Sequence, residues 1–286
     1  MPTRQKIEKI SVVGAGVMGN GLAHVFALNN FAVILLDIKD ELLEKAVNNI
    51  SKNLDRQIKK GLIDESQKQK ALLLIKTTTD YNDIADSDIV IEAVYEDLKI
   101  KEAVLTEIGK VVSENCIIAS NTTSISITKM SALHINPDKF IGLHFFNPVP
   151  MMKLVEIIIG LVTSKETCEI VKRLMEDIGK TPIVVPNTPG FIVSRVLFSM
   201  VNEAIFTLQD GTATAENIDI AMKLGANQPI GPLALADLIG LDISLNAMET
   251  MHNYFGDPKY RPAPLLKEMV DAGFLGRKTG RGFFKY

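Results

Sequence analysis

Ile10-Ser-Val-Val-Gly14-Ala-Gly16-Val17-Met18-Gly19 runs from a short apolar stretch into a glycine-rich turn. A helical pattern comes next, with Leu22, Ala23, Phe26 and Ala27 on one face and a stop at Asn29-Asn30. A second apolar run, Phe31-Ala-Val-Ile-Leu-Leu36, ends on Asp37. A GxGxxG string alone is weak evidence. Following a strand, opening a helix, and trailed by an acid about 20 residues on, it becomes the signature of a dinucleotide-binding βαβ unit. Gly14 allows the tight turn, Gly16 admits a pyrophosphate against the backbone, and Gly19 lets the helix pack close to the strand. The start of that helix, including Val17 and Met18, presents free N–H groups and the positive end of the helix dipole to phosphates. Asp37 suits the hydroxyls of an adenosine ribose and would repel a 2′-phosphate. Ile38, not an arginine, comes next. The cofactor expected is therefore NAD, in preference to NADP.

Outward from this unit, apolar residues recur at spacings of three and four over 40–60, the mark of an amphipathic helix. Further strands are expected at 72–76, 89–93, 116–119, 140–143, 154–159 and 183–185. Helices are expected at 97–112, where Asp97 is a helix-start residue, and from a Ser164 cap to Ile178. Alternating strands and helices predict a parallel sheet covered on both faces. After Pro186-Asn-Thr-Pro189-Gly the apolar periodicity is helical throughout. The fold class expected is α/β: a Rossmann-type NAD-binding domain over 1–188, then a smaller all-α domain over 189–286.

Apolar residues are 47% and charged residues 23% of the 286, a globular mix. A net charge of −3 gives no sign of a nucleic-acid partner. The two cysteines, Cys116 and Cys168, lie in no metal-ligand or disulfide pattern, and Cys116 opens an apolar run that reads as a buried thiol. The opening residues lack the apolar segment of a secretory leader, and no run is long enough to span a membrane. The expectation is a soluble cytoplasmic protein with no bound metal and no membrane contact.

Of the four histidines, His24, His134 and His252 read as structural or solvated. His144 ends a strand at the edge where open α/β sheets bind ligands. Glu156, on the next strand, is placed to hold its tautomer and stabilise its charged form. Hydride removal from an alcohol needs a base for the hydroxyl proton, a role histidine fills near neutral pH.

Gly14-Ala-Gly-Val-Met-Gly19, Val90-Ile-Glu-Ala-Val94, Ala119-Ser-Asn121-Thr122, Gly142-Leu-His-Phe-Phe-Asn-Pro148, Met152-Lys-Leu-Val-Glu156, Thr188-Pro-Gly-Phe-Ile192 and Gly276-Arg-Lys-Thr-Gly280 together resemble the 3-hydroxyacyl-CoA dehydrogenase family. The likeness covers essentially the whole chain and is strongest to the short bacterial members acting on 3-hydroxybutyryl-CoA. It implies interconversion of (S)-3-hydroxyacyl-CoA and 3-oxoacyl-CoA, with His144 as base and Glu156 as its partner. It implies that Glu96, Lys101, Asn147 and Lys278 meet the nicotinamide half of NAD, with Asn121 also beside the cofactor. Arg56 and Lys60, four apart on one helix face, fall where the family meets CoA phosphates. The family's substrate-binding serine corresponds to Thr123, and an asparagine of the family corresponds to Ser194. Thr123 keeps the hydroxyl and adds a methyl, whereas Ser194 is shorter than asparagine and lacks its amide donors; both bear on turnover and acyl specificity. The resemblance further implies a substrate cleft and a homodimer formed through the helical domain. Two other readings stay open: a sister dehydrogenase of a free hydroxy acid, and a weakly catalytic NAD-binding protein.

Overall fold

Short runs rich in β-branched residues, most of them buried along their whole length, form the strands, and a computed structural model describes residues 6–134 and 136–286. The expectation that the chain opens without a leader falls partly on residues 1–5, which lie outside the described residues. The chain divides into two units, Met1–Thr188 and Pro189–Tyr286.

In the first unit β1 (Lys9–Val13), β2 (Ala32–Leu36), β3 (Ile75–Thr78), β4 (Ile89–Glu92), β5 (Ile117–Ser120), β6 (Phe140–Phe145), β7 (Leu154–Ile159) and β8 (Thr181–Pro186) form one sheet. Its order is β3-β2-β1-β4-β5-β6-β7-β8. Between the strands run α1 (Val17–Leu28), α2 (Asp40–Lys59), α3 (Glu65–Leu73), α4 (Leu98–Val111), α5 (Ile127–Ser131) and α6 (Lys165–Asp177). Asp97 caps α4 by accepting from Ile100 N–H at 3.1 Å, and Ser164 caps α6 by accepting from Thr167 N–H at 3.1 Å.

Two sequence expectations need correction. The sheet is not wholly parallel, because β6 and β7 pair antiparallel. The connecting loop 146–153 is shorter than the dozen or so residues a parallel crossover requires. The strand expected at 72–76 lies at Ile75–Thr78, and Leu72 and Leu73 complete α3. That helix opens on a capping box in which Asp64 and Gln67 each accept the other's backbone N–H, at 2.8 and 2.9 Å. The leucine run straddles the end of one element and the start of the next, so apolarity alone could not divide it.

Alternation along the strands sends the side chains to two faces. Ile10, Val12, Ile89, Ile91, Ile117, Ala119, Ile141, Leu143, Val155 and Ile157 point to the face packed by α1, α2 and α6 and form the main apolar core. The alternate positions on the opposite face include Glu92, Ser120, His144 and Glu156, all buried. That second face is apolar too, with Val90, Ile118, Phe140 and Ile158 buried, and it carries these polar groups toward the strand ends. Cys116 is a free buried thiol, as expected, and burial pushes it up to about 12.

His24, on α1, is 1% exposed, and neither ring nitrogen has a hydrogen-bond partner among the described residues. Burial pushes its pKa down to about 4; Gln57 beside it opposes the shift and the charge of Lys180 adds to it. The folded chain thus holds fewer protons than the unfolded chain between the ordinary value of 6.5 and about 4. Stability is complete above 6.5 and falls as pH drops through that window, by about 3 kcal/mol from this residue. Chemical denaturation of the wild type and His24→Leu at pH 7 and pH 4 is expected to show the variant losing about that much less. Equal losses in the two proteins would refute this assignment.

The second unit is helical: α7 (Val193–Gln209), α8 (Ala215–Gly225), α9 (Pro232–Ile239), α10 (Leu241–Phe255) and α11 (Pro264–Asp271). Val201, Ile205, Leu233, Leu241 and Leu266 make its core. Buried Asp237 fastens the C-terminal segment by accepting from Phe283 N–H and Phe284 N–H at 2.9 Å each and from the Tyr286 hydroxyl at 3.1 Å. No described helix is long and apolar enough to cross a membrane.

Candidate active site

β1 and β4 are sheet neighbours although β2 follows β1 in the chain, so the strand order reverses between them. Such a reversal opens a crevice at the carboxyl ends of the two strands. Gly14 turns there with φ +106°, and a Cβ on it would meet Ala93 O at 2.7 Å. A Cβ on Gly19 would stand 1.7 Å from Gly14 O, so α1 packs onto the turn at a distance only glycine permits. At Gly16 a Cβ would meet nothing within 4 Å. Gly16 is also the N-cap of α1, with no side-chain cap and no acid in the first turn. The helix start is therefore open and uncompensated, and Val17 there is 67% exposed. Met18 is half-buried against the core. Asp37 accepts from Ala15 N–H at 2.6 Å and from Ile38 N–H at 2.7 Å, which holds its carboxylate beside the turn. Open N–H groups, a bare backbone face and a fixed carboxylate fit a dinucleotide.

β6 and β7 bring His144 and Glu156 directly opposite each other, although 12 residues separate them. Opposed residues of an antiparallel pair share a face, with Cβ atoms about 5 Å apart. His144 Nδ1 and Glu156 Oε2 stand 2.7 Å apart, with side chains 7% and 0% exposed. Against a carboxylate, Nδ1 carries the proton and Nε2 is the basic nitrogen. The Phe146 ring lies 4.4 Å from the imidazole, centre to centre. Lys180 steadies the loop after His144 by donating to Val149 O at 2.5 Å and to Met152 O at 2.8 Å. That loop carries Asn147, exposed, at a cis Asn147–Pro148 bond.

The segment after β5 is clamped twice. Asn121 Oδ1 accepts from Phe145 N–H, next to His144, at 3.0 Å. Glu96 Oε1 accepts from the Thr122 hydroxyl at 2.6 Å, Thr123 N–H at 2.8 Å and Ser124 N–H at 3.1 Å. The Thr123 hydroxyl has no hydrogen bond among the described residues, and the side chain is half-buried. Lys101, which the resemblance puts at the nicotinamide half of NAD, has a side chain 0% exposed, with its ammonium 2.7 Å from Glu92 and 3.3 Å from Glu96. Glu92 and Ser120 belong to this cluster and were missed as site residues. Their signal was an acid at the end of the apolar run Ile89-Val-Ile-Glu92, which a buried strand tolerates only with a partner.

Four further candidates lie on other elements. Arg56, in the last turn of α2, and Lys60, its C-cap, are exposed and make no ion pair among the described residues; Arg56 donates to Asn53 Oδ1 at 3.0 Å. In the helical unit, Ser194 is buried in the first turn of α7. Lys278 in that unit donates to both carboxylate oxygens of Asp242 at 2.6 Å.

Comparison with known proteins covers nearly the whole chain. The family model described as 3-hydroxyacyl-CoA dehydrogenase, NAD binding domain, matches residues 9–188, and that of the C-terminal domain matches 190–286. A 3-hydroxybutyryl-CoA dehydrogenase of Bradyrhizobium diazoefficiens is 48% identical over 98% of this chain and 96% of its own length. That of Clostridioides difficile is 46% identical over 97% and 99%. The crystal structure of (S)-3-hydroxybutyryl-CoA dehydrogenase PaaH1 from Ralstonia eutropha superimposes with a TM-score of 0.97 at 52% identity, covering 98% of this chain and 99% of that one.

Proposed function

The chain belongs to the 3-hydroxyacyl-CoA dehydrogenase family, and on that footing we propose that it interconverts (S)-3-hydroxybutyryl-CoA and acetoacetyl-CoA with His144 as the proton-transferring residue. The observation that carries this reading is the buried His144–Glu156 pair at 2.7 Å, at the end of the sheet where Gly14 and Asp37 form the dinucleotide cradle. NAD, held at the turn 14–19 and at Asp37, supplies the hydride acceptor when bound. In oxidation His144 takes the proton of the 3-hydroxyl as C3 gives up hydride; in reduction its imidazolium returns that proton to the carbonyl oxygen. Glu156 holds the tautomer and stabilises the imidazolium in both directions. The Thr123 hydroxyl orients the substrate oxygen, and Ser194 is a second proposed substrate contact. Asn121, Asn147, Glu96 and Lys278 are proposed at the nicotinamide half, Glu96 also as the holder of the Thr123 segment. Arg56 and Lys60, with no acidic partner of their own among the described residues, are proposed to meet the CoA phosphates.

We further place the enzyme in the cytoplasm, in fatty acid and butyrate metabolism, as a homodimer joined through its helical domain. Exposed Val196, Ile220 and Leu224 on α7 and α8 support the dimer, and sedimentation equilibrium tests it.

The deciding assay follows loss of NADH absorbance with acetoacetyl-CoA, against free acetoacetate and against NADPH. Rapid loss with the NADH and thioester pair alone is expected. Turnover of free acetoacetate at an equal rate would defeat the CoA reading. Arg56→Glu with Lys60→Glu is expected to raise the KM for acetoacetyl-CoA about tenfold or more, since a charge-assisted contact is worth about 1.5 kcal/mol. An unchanged KM would remove both residues from the CoA site.

A further inference from the structure

Glu92 has no part in the proton or hydride transfer, yet it is 0% exposed and each of its oxygens is occupied. Its Oε1 accepts from Lys101 Nζ at 2.7 Å and from Val94 N–H at 2.8 Å, and its Oε2 accepts from the Ser120 hydroxyl at 2.6 Å. The Lys101 ammonium has three directions to satisfy: Glu92 at 2.7 Å, Val94 O at 3.4 Å and Glu96 Oε2 at 3.3 Å. With its side chain fully enclosed, Lys101 cannot turn to water instead. The other oxygen of Glu96 gathers Thr122, Thr123 and Ser124. A continuous chain of contacts thus runs from the end of β4, through α4, to the segment after β5: short charge-assisted hydrogen bonds at Glu92, an ion pair at 3.3 Å between Lys101 and Glu96, and the bonds Glu96 accepts from 122–124. The short bonds are directional and the ion pair ties the two carboxylates to one ammonium, so each member bears on the position of the next.

The central ammonium lies between two carboxylates and is shared between them. Neutralising Glu92 would leave Glu96 as the only charged partner of Lys101 among the described residues. The ammonium would then move toward Glu96, and the Glu96 carboxylate would rotate toward it and away from the three donors it collects. Thr123 would lose the bond that places its backbone, while the His144–Glu156 pair, on β6 and β7, would keep its own geometry.

We propose that Glu92 is a positioning residue for the dehydrogenase reaction, acting through Lys101 and Glu96 to hold the Thr123 hydroxyl on the substrate. The proposal rests on the reading of Thr123 as a substrate contact. Ser120 supports Glu92 from the neighbouring strand.

The test is a double-mutant cycle on kcat for acetoacetyl-CoA reduction, with Glu92→Gln, Thr123→Ala and the two combined. Glu92→Gln is expected to lower kcat about tenfold, the scale of a misplacement below an ångström. In the Thr123→Ala background the same change is expected to cost less than about twofold, because the group it positions is gone. A purely structural role would cost the same factor in both backgrounds, and that result overturns the proposal, as does full activity of Glu92→Gln. Removing one partner of a buried pair can prevent folding. Ser120→Ala therefore serves as the second probe: it takes away one bond to Glu92 without uncovering a charge. Its loss of kcat is expected to be about threefold and to vanish with Thr123→Ala; a loss that persists there overturns the proposal too. If Thr123→Ala alone keeps full turnover, the substrate role of Thr123 fails and this proposal falls with it. Additive costs with an impaired Thr123→Ala reject Glu92 alone.

Discussion

His144→Gln is expected to lower kcat about a hundredfold or more while leaving thermal stability and NADH affinity close to those of the wild type. The glutamine amide can still donate to Glu156 across the 2.7 Å gap, so the buried carboxylate stays satisfied. What the amide cannot do is accept the hydroxyl proton. Glu156→Gln examines the same pair from the other side. A carboxamide can donate to Nδ1, which moves the imidazole proton to Nε2, the position that must be empty to act as base. The expected loss is on the order of ten-thousandfold, the scale of a wrong-tautomer defect. Residues that work as one unit are not additive, so the double variant is expected to resemble the poorer single one. Rates come from NADH absorbance and affinities from NADH fluorescence titration. Near-normal turnover of His144→Gln would remove it from the proton-transfer role.

Gly19→Ala is the second variant with a large expected effect, on folding as well as on the cofactor. The added methyl would lie 1.7 Å from Gly14 O, a backbone atom with no rotamer to escape into. Relief requires α1 to lift from the turn, and α1 carries Leu22 and Phe26, both 0% exposed in the core. A loss of about 3 kcal/mol or more in unfolding free energy is expected, together with loss of NADH binding. Gly16→Ala separates the two effects. Its φ of −62° suits alanine and the methyl meets no protein atom within 4 Å, so stability is expected to hold. NADH affinity is expected to fall, because the methyl stands on the face a pyrophosphate must approach. A Gly19→Ala protein with native stability, or a Gly16→Ala protein with native NADH affinity, would contradict the roles given to these glycines.

The parts of the site readable from sequence were those whose chemistry is local. The turn 14–19 is one continuous peptide, and its glycines state their own reason for being there. Asp37 is legible from the end of the next strand, and His144 and Glu156 lie on consecutive strands joined by a short loop. Other residues gave little local signal. Lys101 sits on an amphipathic helix where a lysine ordinarily reads as solvated, and it is enclosed because Glu92 and Glu96 reach it. Glu96 reads as a surface acid after a strand, and its hold on the segment 122–124 depends on β4 and β5 lying side by side. Leu72 and Leu73 look like strand residues until the Asp64 capping box commits that stretch to a helix.

By itself the sequence determined the dinucleotide unit, the division near 188, the helical character of the second unit, and the pairing of His144 with Glu156. These depend on residues within a turn, within a periodicity, or on adjacent strands, where chain connectivity dictates proximity. Only the tertiary structure decided that β7 runs against β6, that His24 is buried with no partner among the described residues, and that Glu92, Lys101, Glu96 and Thr123 form one connected system. Those facts depend on which strands become neighbours and which helix covers them, and the energetics of enclosing a charge act on that arrangement, not on the order of residues along the chain.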